Sequence, residues 1–338
     1  MNDYLWDRNG RDSDVERIEN LLARYRHVEQ PFVFPNPRAA TTKRASRFPF
    51  LVTAIAATCV IGAALSFWSM MPRKAGLAVV ALEGTPRIDN VAVASARLSV
   101  GGRLETGIGD RARIQISDIG WVQVQPGSVL TLLEDHAERR RFRLERGELL
   151  AQINAPPAVF IVETPAARAI DLGCAYRLRF APNGEGTIEV SDGWVEIDHG
   201  FEQTLVPAGA AARFRVDRIS PAYMSQTSPE FRDAMLQWWL TENEPARSTS
   251  LALALSKANR QDAFTLLNML GRSLPRERLV IYDRLTALIP APPTVSRSAV
   301  LAGETNAAEP WWSVIEHELG LGPIKKKGPL RVDPYWPN

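Results

Sequence analysis

The chain of 338 residues contains few of the side chains that metal, redox or disulfide chemistry requires. Its two cysteines are Cys59 and Cys174, neither of which belongs to a C-x-x-C pair, and its four histidines are far apart in the sequence. These absences argue against metal clusters and redox motifs. The net charge of only +2 argues against wholesale binding of nucleic acid. We therefore expect no metal, no cofactor and no nucleic-acid partner.

Charge is absent altogether from residues 48–71, whose sequence is FPFLVTAIAATCVIGAALSFWSMM. At a rise of about 1.5 Å per residue, this stretch would form a helix of about 36 Å, longer than the roughly 30 Å hydrocarbon core of a bilayer. It begins too far into the chain and is too long for a cleaved signal peptide. The sequence therefore predicts a single-span membrane protein with one transmembrane helix in contact with the lipid bilayer.

Basic residues crowd the N-terminal side of this stretch. The basic residues close to it are Arg38, Lys43, Arg44 and Arg47 before it, and Arg73 and Lys74 after it. Positively charged flanks stay preferentially on the cytoplasmic side of a membrane. We therefore expect a cytoplasmic arm at residues 1–47 and an extracytoplasmic portion after residue 71.

The arm contains one amphipathic helix. Ser13 and Glu16 form a capping box that opens a helix over residues 13–27, followed by a linker. The apolar positions at helical spacing are Val15, Ile18, Leu21, Leu22 and Tyr25. A lone helix of this length is marginal in water, so it docks on a partner, lies on the membrane or frays. The opposite face mixes acidic and basic residues, which favours a protein partner over lipid.

Residues 76–218 show the period of two that is typical of strands. Ile114/Ile116 and Val122/Val124 supply one buried face per strand, and turn signals separate runs of about ten residues. The pattern predicts an all-β domain, built as a sandwich, a roll or a short β-solenoid. Gly107, Gly147 and Gly193 are expected to occupy turns with positive φ, and Pro126-Gly127 another turn. The run Arg139-Arg140-Arg141 is expected in a solvated turn.

No set of residues with a catalytic pattern accompanies these strands. Ser128, Asp135 and His136 lie close in sequence, but neither a G-x-S-x-G motif nor a strand-turn-helix pattern surrounds the serine. A serine in a structural turn is the better interpretation. The sequence therefore predicts a protein that is not an enzyme, with no catalytic residues.

Residues 222–320 return to helical spacing. Ser228-Pro229 is a cap and first-turn pair, and the later helices are joined by short connections, which predicts a small all-α domain of helical hairpins. One of these helices carries an apolar stripe at Leu279, Tyr282, Leu285 and Leu288. Residues 321–338, rich in lysine and proline, are expected to form a tail.

Seven short sequences follow one another in the strand-rich region. They are LETG at 104–107, DRARIQI at 110–116, VQVQPGS at 122–128, LERGEL at 144–149, FIVETP at 160–165, DLGCAYRL at 171–178 and IEVSDGWV at 188–195. This succession resembles the extracytoplasmic domain of FecR-type proteins, the sigma-factor regulators of the iron-dicitrate transport type, over about residues 100–200. The glycines of the motif in this chain are Gly107, Gly127, Gly147, Gly173 and Gly193.

The resemblance implies a single-pass regulator of the bacterial inner membrane. Its periplasmic β-domain would sense or bind an envelope protein, and its arm would modulate a sigma factor or another cytoplasmic protein. The alternative is a non-signalling envelope scaffold without a sigma-factor role. The chain departs from the family in its short arm and in the helical segment after the strands, so signalling to an outer-membrane receptor is not expected. It also has Cys174 where family members often have threonine, and we expect a buried thiol there.

Overall fold

The computed structural model describes residues 76–200, 202–304 and 306–322, together with Arg17. The stripe residues Val15, Ile18, Leu21, Leu22 and Tyr25, the apolar stretch 48–71 and most of the tail lie outside this set. Within the described residues, no helix is both long enough and apolar enough to cross a membrane. The chain divides into two compact units, Met1–Met71 and Pro72–Asn338, and the features below belong to the second.

Among the described residues, eighteen strands occupy the first part of this unit, which confirms the prediction of a β-rich middle. They are β1 (Leu77–Glu83), β2 (Arg87–Ile88), β3 (Val91–Ala92), β4 (Ser95–Leu98), β5 (Arg103–Glu105), β6 (Arg111–Ile116), β7 (Gly120–Val124), β8 (Val129–His136), β9 (Arg139–Ile153), β10 (Phe160–Glu163), β11 (Arg168–Asp171), β12 (Ala175–Phe180), β13 (Gly186–Asp192), β14 (Trp194–Asp198), β15 (Gln203–Pro207), β16 (Ala210–Arg215), β17 (Arg218–Ile219) and β18 (Tyr223–Met224).

The strands form two sheets that share β9. In sheet 1 the order is β4–β1–β6–β7–β9–β12–β13–β16, with β17 and β18 both on β16, and every pair is antiparallel. In sheet 2 the order is β3–β2–β5–β8–β9–β10–β11–β14–β15, and only the β9–β10 pair is parallel. The first half of β9 pairs with β8 in sheet 2, and its second half pairs with β7 and β12 in sheet 1.

The core is formed by apolar side chains at every second position of the strands. Ile114, Ile116, Val122 and Val124 are each 0% exposed, as predicted from their spacing. They belong to one hydrophobic cluster with side chains of sheet 2, among them Phe142, whose ring lies 5.6 Å from that of Phe160. The two sheets therefore share one core.

Gly147 lies where β9 passes from one sheet to the other. Its φ is +98°, and a Cβ atom there would lie 2.2 Å from Ser128 Oγ. Gly193 has φ +71° in the turn between β13 and β14. Gly107 was expected to share this conformation, but that expectation is wrong because its φ is not positive. Its N–H instead donates to the carboxylate of Asp110 at 2.8 Å, and the left-handed position of this turn is occupied by Gly109, with φ +87°.

Helices follow the strands, as predicted. They are α1 (Pro229–Leu240), α2 (Glu244–Lys257), α3 (Ala263–Arg272), α4 (Pro275–Leu288), α5 (Arg297–Ala302) and α6 (Glu309–Leu319), with a 3₁₀ turn at Arg260–Asp262. Ser228 caps α1 by accepting a hydrogen bond from the Phe231 N–H at 3.2 Å. In the stripe predicted on α4, Tyr282 and Leu285 are buried and Leu288 is partly buried, whereas Leu279 is 44% exposed.

Aromatic contacts join the helices to the sheets. The Trp312 ring of α6 lies 5.9 Å from that of Trp194 in β14 and 5.5 Å from that of Phe264 in α3. The Arg272 guanidinium, at the end of α3, donates to the Gln203 carbonyl of β15 at 2.6 Å and also to the Thr204 hydroxyl. Strands and helices thus contribute to one hydrophobic cluster.

Candidate binding groove

A groove lined by arginines crosses the solvent-facing side of sheet 1. In β12 the side chains of Tyr176, Leu178 and Phe180 are buried, so the alternate residues Arg177 and Arg179 point to solvent. The same alternation in β16 exposes Arg213 and Arg215. We call the resulting feature the arginine groove, and its basic lining consists of Arg177, Arg179, Arg213, Arg215 and Arg232.

Two adjoining hollows make up the arginine groove. The first has a volume of about 370 Å³ and includes Arg177 and Arg232. The second has a volume of about 310 Å³ and includes Arg215. Arg179, Thr187 and Arg213 line both hollows. Volumes of this size suit a small ligand or one segment of a larger one.

The three shared residues lie in one row across neighbouring strands. Arg179 of β12 is directly opposite Thr187 of β13, and Thr187 is directly opposite Arg213 of β16. Adjacent strands are about 4.8 Å apart, so about 10 Å of sheet separates the two arginine backbones. The Thr187 side chain therefore lies between two long cationic side chains on the same face.

The arginines of the groove differ in their ionic partners. Arg177 pairs with Glu148 at 3.6 Å, and Arg215 pairs with Glu185 at 3.6 Å. Arg232 Nε donates to Asp233 at 3.2 Å. By contrast, the guanidinium groups of Arg179 and Arg213 form no ion pair and no hydrogen bond within the described part of the chain. The middle of the groove is therefore its least neutralised part.

The second hollow is also lined by a tryptophan whose indole N–H group is buried. Trp239 of α1 lines the second hollow and is only 7% exposed. Its indole N–H has no hydrogen-bond partner among the residues described. A buried N–H group normally has a partner, because leaving it unsatisfied costs about 1–3 kcal/mol. This unpartnered donor belongs to one of the residues that line the second hollow.

A second polar cluster is buried beneath the turn before β12. The Cys174 thiol donates to Asp171 Oδ2 at 2.8 Å, and the Gly173 N–H donates to Asp171 Oδ1 at 2.6 Å. Burial raises the pKa of Asp171 from 3.8 to about 7. Burial and the neighbouring Asp171 carboxyl also raise the pKa of the Cys174 thiol. The thiol is therefore held protonated, as a packed donor rather than a nucleophile.

Buried charges also line β11 and β14. Arg168 forms an ion pair with Asp198, and both side chains are less than 10% exposed. Burial, followed by repulsion from Asp198, raises the pKa of Glu196 from 4.5 to about 7. No group of three or more His, Cys, Asp or Glu residues suited to a metal ion occurs in the described ranges.

Ser128 has a structural partner. It is fully buried, and its hydroxyl accepts a hydrogen bond from the Glu148 N–H at 2.9 Å while donating to the Glu148 carbonyl at 3.1 Å. His136 is exposed at the end of β8. Gly147 lies within β9, and the other glycines of the motif lie in the connections between strands, at Gly107, Gly127, Gly173 and Gly193. The lining residues of the two hollows do not include these glycines.

Sequence reasoning did not single out the arginine groove. The signal was present as Arg-x-Arg at 177–179 and at 213–215, both within alternating strands. However, Arg179 and Arg213 are 34 positions apart in the sequence, and the pairing of β12 and β16 with β13 aligns them. The sequence alone does not contain this register.

Comparison with solved structures yields a weak likeness. Two crystal structures of a proposed anti-sigma factor from Parabacteroides distasonis ATCC 8503, at 1.65 and 2.50 Å resolution, are similar at 19% identity and a TM-score of 0.33. The likeness covers 40% of this chain, which spans 64% of that protein's length. A TM-score of this size indicates neither the fold nor the partner of this chain. No curated protein matches the chain.

Comparison with protein families gives a specific result. The segment matched by a family model begins just before β5, includes the shared strand β9 and ends within β14. It therefore covers the strands that join the two sheets. The matching model is the one described as FecR protein, at residues 102–196, which confirms the resemblance found in the sequence and identifies a FecR-type segment at the centre of the β-structure.

Proposed function

We propose that this protein is a FecR-like regulator rather than an enzyme. The observation that supports the proposal is the FecR match at residues 102–196, which covers β5 to β13 and the start of β14. The polar groups in this region agree with a binding role, since Ser128 and Asp171 are engaged in packing and the exposed face of sheet 1 carries a cationic groove. The β-structure would then recognise a partner through its surface.

The proposal includes a membrane topology that rests on the sequence. Residues 48–71 span the bacterial inner membrane once, with residues 1–47 in the cytoplasm and the β-structure in the periplasm. The β-structure binds an envelope protein. The apolar stripe that includes Leu21 and Leu22 binds a sigma factor or another cytoplasmic protein, as an amphipathic helix in a groove.

The experiment that tests this proposal compares co-purified proteins from membranes. The double variant Leu21→Ser/Leu22→Ser removes the centre of the stripe. Its matched control, Glu19→Ser/Arg24→Ser, changes the opposite polar face of the same predicted helix and keeps the capping residues Ser13 and Glu16. Reporter fusions at residues 1 and 338 establish the topology of each variant.

The proposal predicts that a sigma factor or another specific cytoplasmic protein co-purifies with the wild type and the control but not with the stripe variant. Identical co-purified proteins for all three chains, with the same topology, would contradict the regulatory role. That outcome would favour an envelope scaffold in which the arm only sets the topology.

A further inference from the structure

We propose that the arginine groove binds a phosphate group of an anionic ligand. The anion would lie between Arg179 and Arg213, above Thr187, and extend into the second hollow toward Trp239. This inference does not depend on the regulatory role of the protein. It rests on the chemistry of four side chains that line one continuous groove.

All four side chains can donate hydrogen bonds. A guanidinium group and an indole N–H offer donors and no acceptor, and a threonine hydroxyl can do either. Arg179, Arg213 and the Trp239 N–H have no partner within the described ranges, and Thr187 lies directly between the two arginines. A ligand that satisfies this set must be rich in acceptors and negatively charged.

The number of donors favours phosphate over carboxylate. A carboxylate has two oxygen atoms in one plane, and a single guanidinium can satisfy both of them. Two arginines with a hydroxyl between them instead match a tetrahedral group with three oxygens and a charge close to −2. The Trp239 N–H in the second hollow suits a further acceptor on the same ligand, such as a second phosphate or a bridging oxygen.

The positions of the acidic residues in the groove indicate where a bound anion is repelled least. Glu148 and Glu189 both line the first hollow, and Glu148 already pairs with Arg177. In the second hollow the acidic lining residue is Glu185, which pairs with Arg215. An anion is therefore repelled least at the row that both hollows share.

Calorimetric titration of the full-length protein tests the inference. The probes are inorganic phosphate, pyrophosphate and glycerol phosphate, with succinate as the carboxylate. The test variants are Arg179→Gln/Arg213→Gln, Thr187→Val and Trp239→Phe, and the last keeps most of the ring packing while removing the N–H. The matched control is Arg87→Gln/Arg113→Gln, which removes the same charge from two exposed strand positions outside the groove.

We expect saturable binding of at least one phosphate compound, weakened by about tenfold or more in the double variant, because that variant removes both charge-assisted contacts to the phosphate. Thr187→Val and Trp239→Phe should each weaken binding by about threefold to tenfold. The control should bind like the wild type. Preference for pyrophosphate would identify a diphosphate ligand, and preference for glycerol phosphate a headgroup-like one.

Three results would overturn the inference. The first is no saturable heat with any phosphate compound up to about 10 mM, where even a millimolar site is mostly filled. The second is tighter binding of succinate than of every phosphate compound. The third is equal loss of binding in the test and control double variants, which would show general attraction to positive charge. Unchanged thermal unfolding of each variant separates these outcomes from misfolding.

Discussion

Arg247 of α2 donates two hydrogen bonds to the buried carboxylate of Glu277 of α4, from Nε to Oε1 at 2.7 Å and from Nη2 to Oε2 at 3.1 Å. The Trp238 indole of α1 donates to the same carboxylate at 3.1 Å, and the Leu274 N–H does so at 2.9 Å. The Arg247 guanidinium also lies 4.4 Å from the centre of the Trp238 ring. One carboxylate therefore holds three helices together.

Replacing this carboxylate should destabilise the helical part strongly. Glu277→Gln leaves the guanidinium of Arg247, which is 14% exposed, without its counter-charge, and we expect a loss of about 3–5 kcal/mol. The control is Glu244→Gln, which removes a surface pair with Arg276 and should cost less than about 1 kcal/mol. Urea unfolding monitored by circular dichroism measures both values. Equal effects would contradict the central role of Glu277.

The same site predicts a loss of stability in acid. Burial raises the pKa of Glu277, but the hydrogen bonds from Arg247, Leu274 and Trp238 outweigh it and leave the pKa below its usual 4.5. The contribution of Glu277 is therefore present above pH 4.5 and is lost as the pH falls through the lower folded-state pKa. Glu277→Gln should remove this part of the acid sensitivity in urea titrations below pH 5.

The contribution of Asp171 to the free energy of unfolding should depend on pH in the opposite direction to that of Glu277. Because burial raises its pKa from 3.8 to about 7, the folded carboxyl keeps its proton where the unfolded one is ionised. Its contribution to the free energy of unfolding is full below pH 3.8 and is lost as the pH rises to about 7. Urea midpoints across this window should decline less for Asp171→Asn than for the wild type. An unchanged decline would show that the folded Asp171 is ionised.

Gly147 should tolerate no side chain. Gly147→Ala combines a positive φ with a contact to Ser128, and we expect a cost of about 2–4 kcal/mol. Gly127→Ala is the matched control, because Gly127 has φ +73° but open space around its Cβ position. Its cost should be about 1–2 kcal/mol, from the backbone alone. Urea unfolding compares the two, and an equal cost would mean that the passage of β9 between the sheets leaves room for a Cβ atom.

Cys174 should be unreactive in the folded protein. Its thiol is 2% exposed and donates to Asp171, and burial raises its pKa. Because thiolates are the reactive form, iodoacetamide should label Cys174 at least about a hundredfold more slowly in native protein than in urea. Mass spectrometry of the Cys174 peptide measures this site separately from Cys59. Rapid labelling of native protein would contradict a buried thiol.

Local patterns in the sequence predicted the elements well. Alternation at Ile114/Ile116 and Val122/Val124 identified buried strand faces, and Ser228-Pro229 identified the start of α1. Both signals depend on residues within one turn or one strand, so neighbours in the sequence contain all the information that is needed.

Features that depend on distant pairing were missed. The run at Arg139–Arg141 was expected in a solvated turn, but it begins β9, and Arg140 is only 7% exposed beside Asp135. Leu279 fits the helical stripe of α4, yet it is 44% exposed, whereas Ile281 is buried. The arginine groove belongs to the same class, because its residues meet only through the register of three strands. Burial and register are properties of the assembled sheets.

The measurement that tests the regulatory proposal most directly is a comparison of transcripts in cells that carry either the wild type, Leu21→Ser/Leu22→Ser or Glu19→Ser/Arg24→Ser at equal membrane levels. The proposal predicts that a discrete set of genes changes expression with the stripe variant and stays at the wild-type level with the control. The same transcripts in all three strains would contradict the claim that this FecR-like protein regulates transcription through its arm.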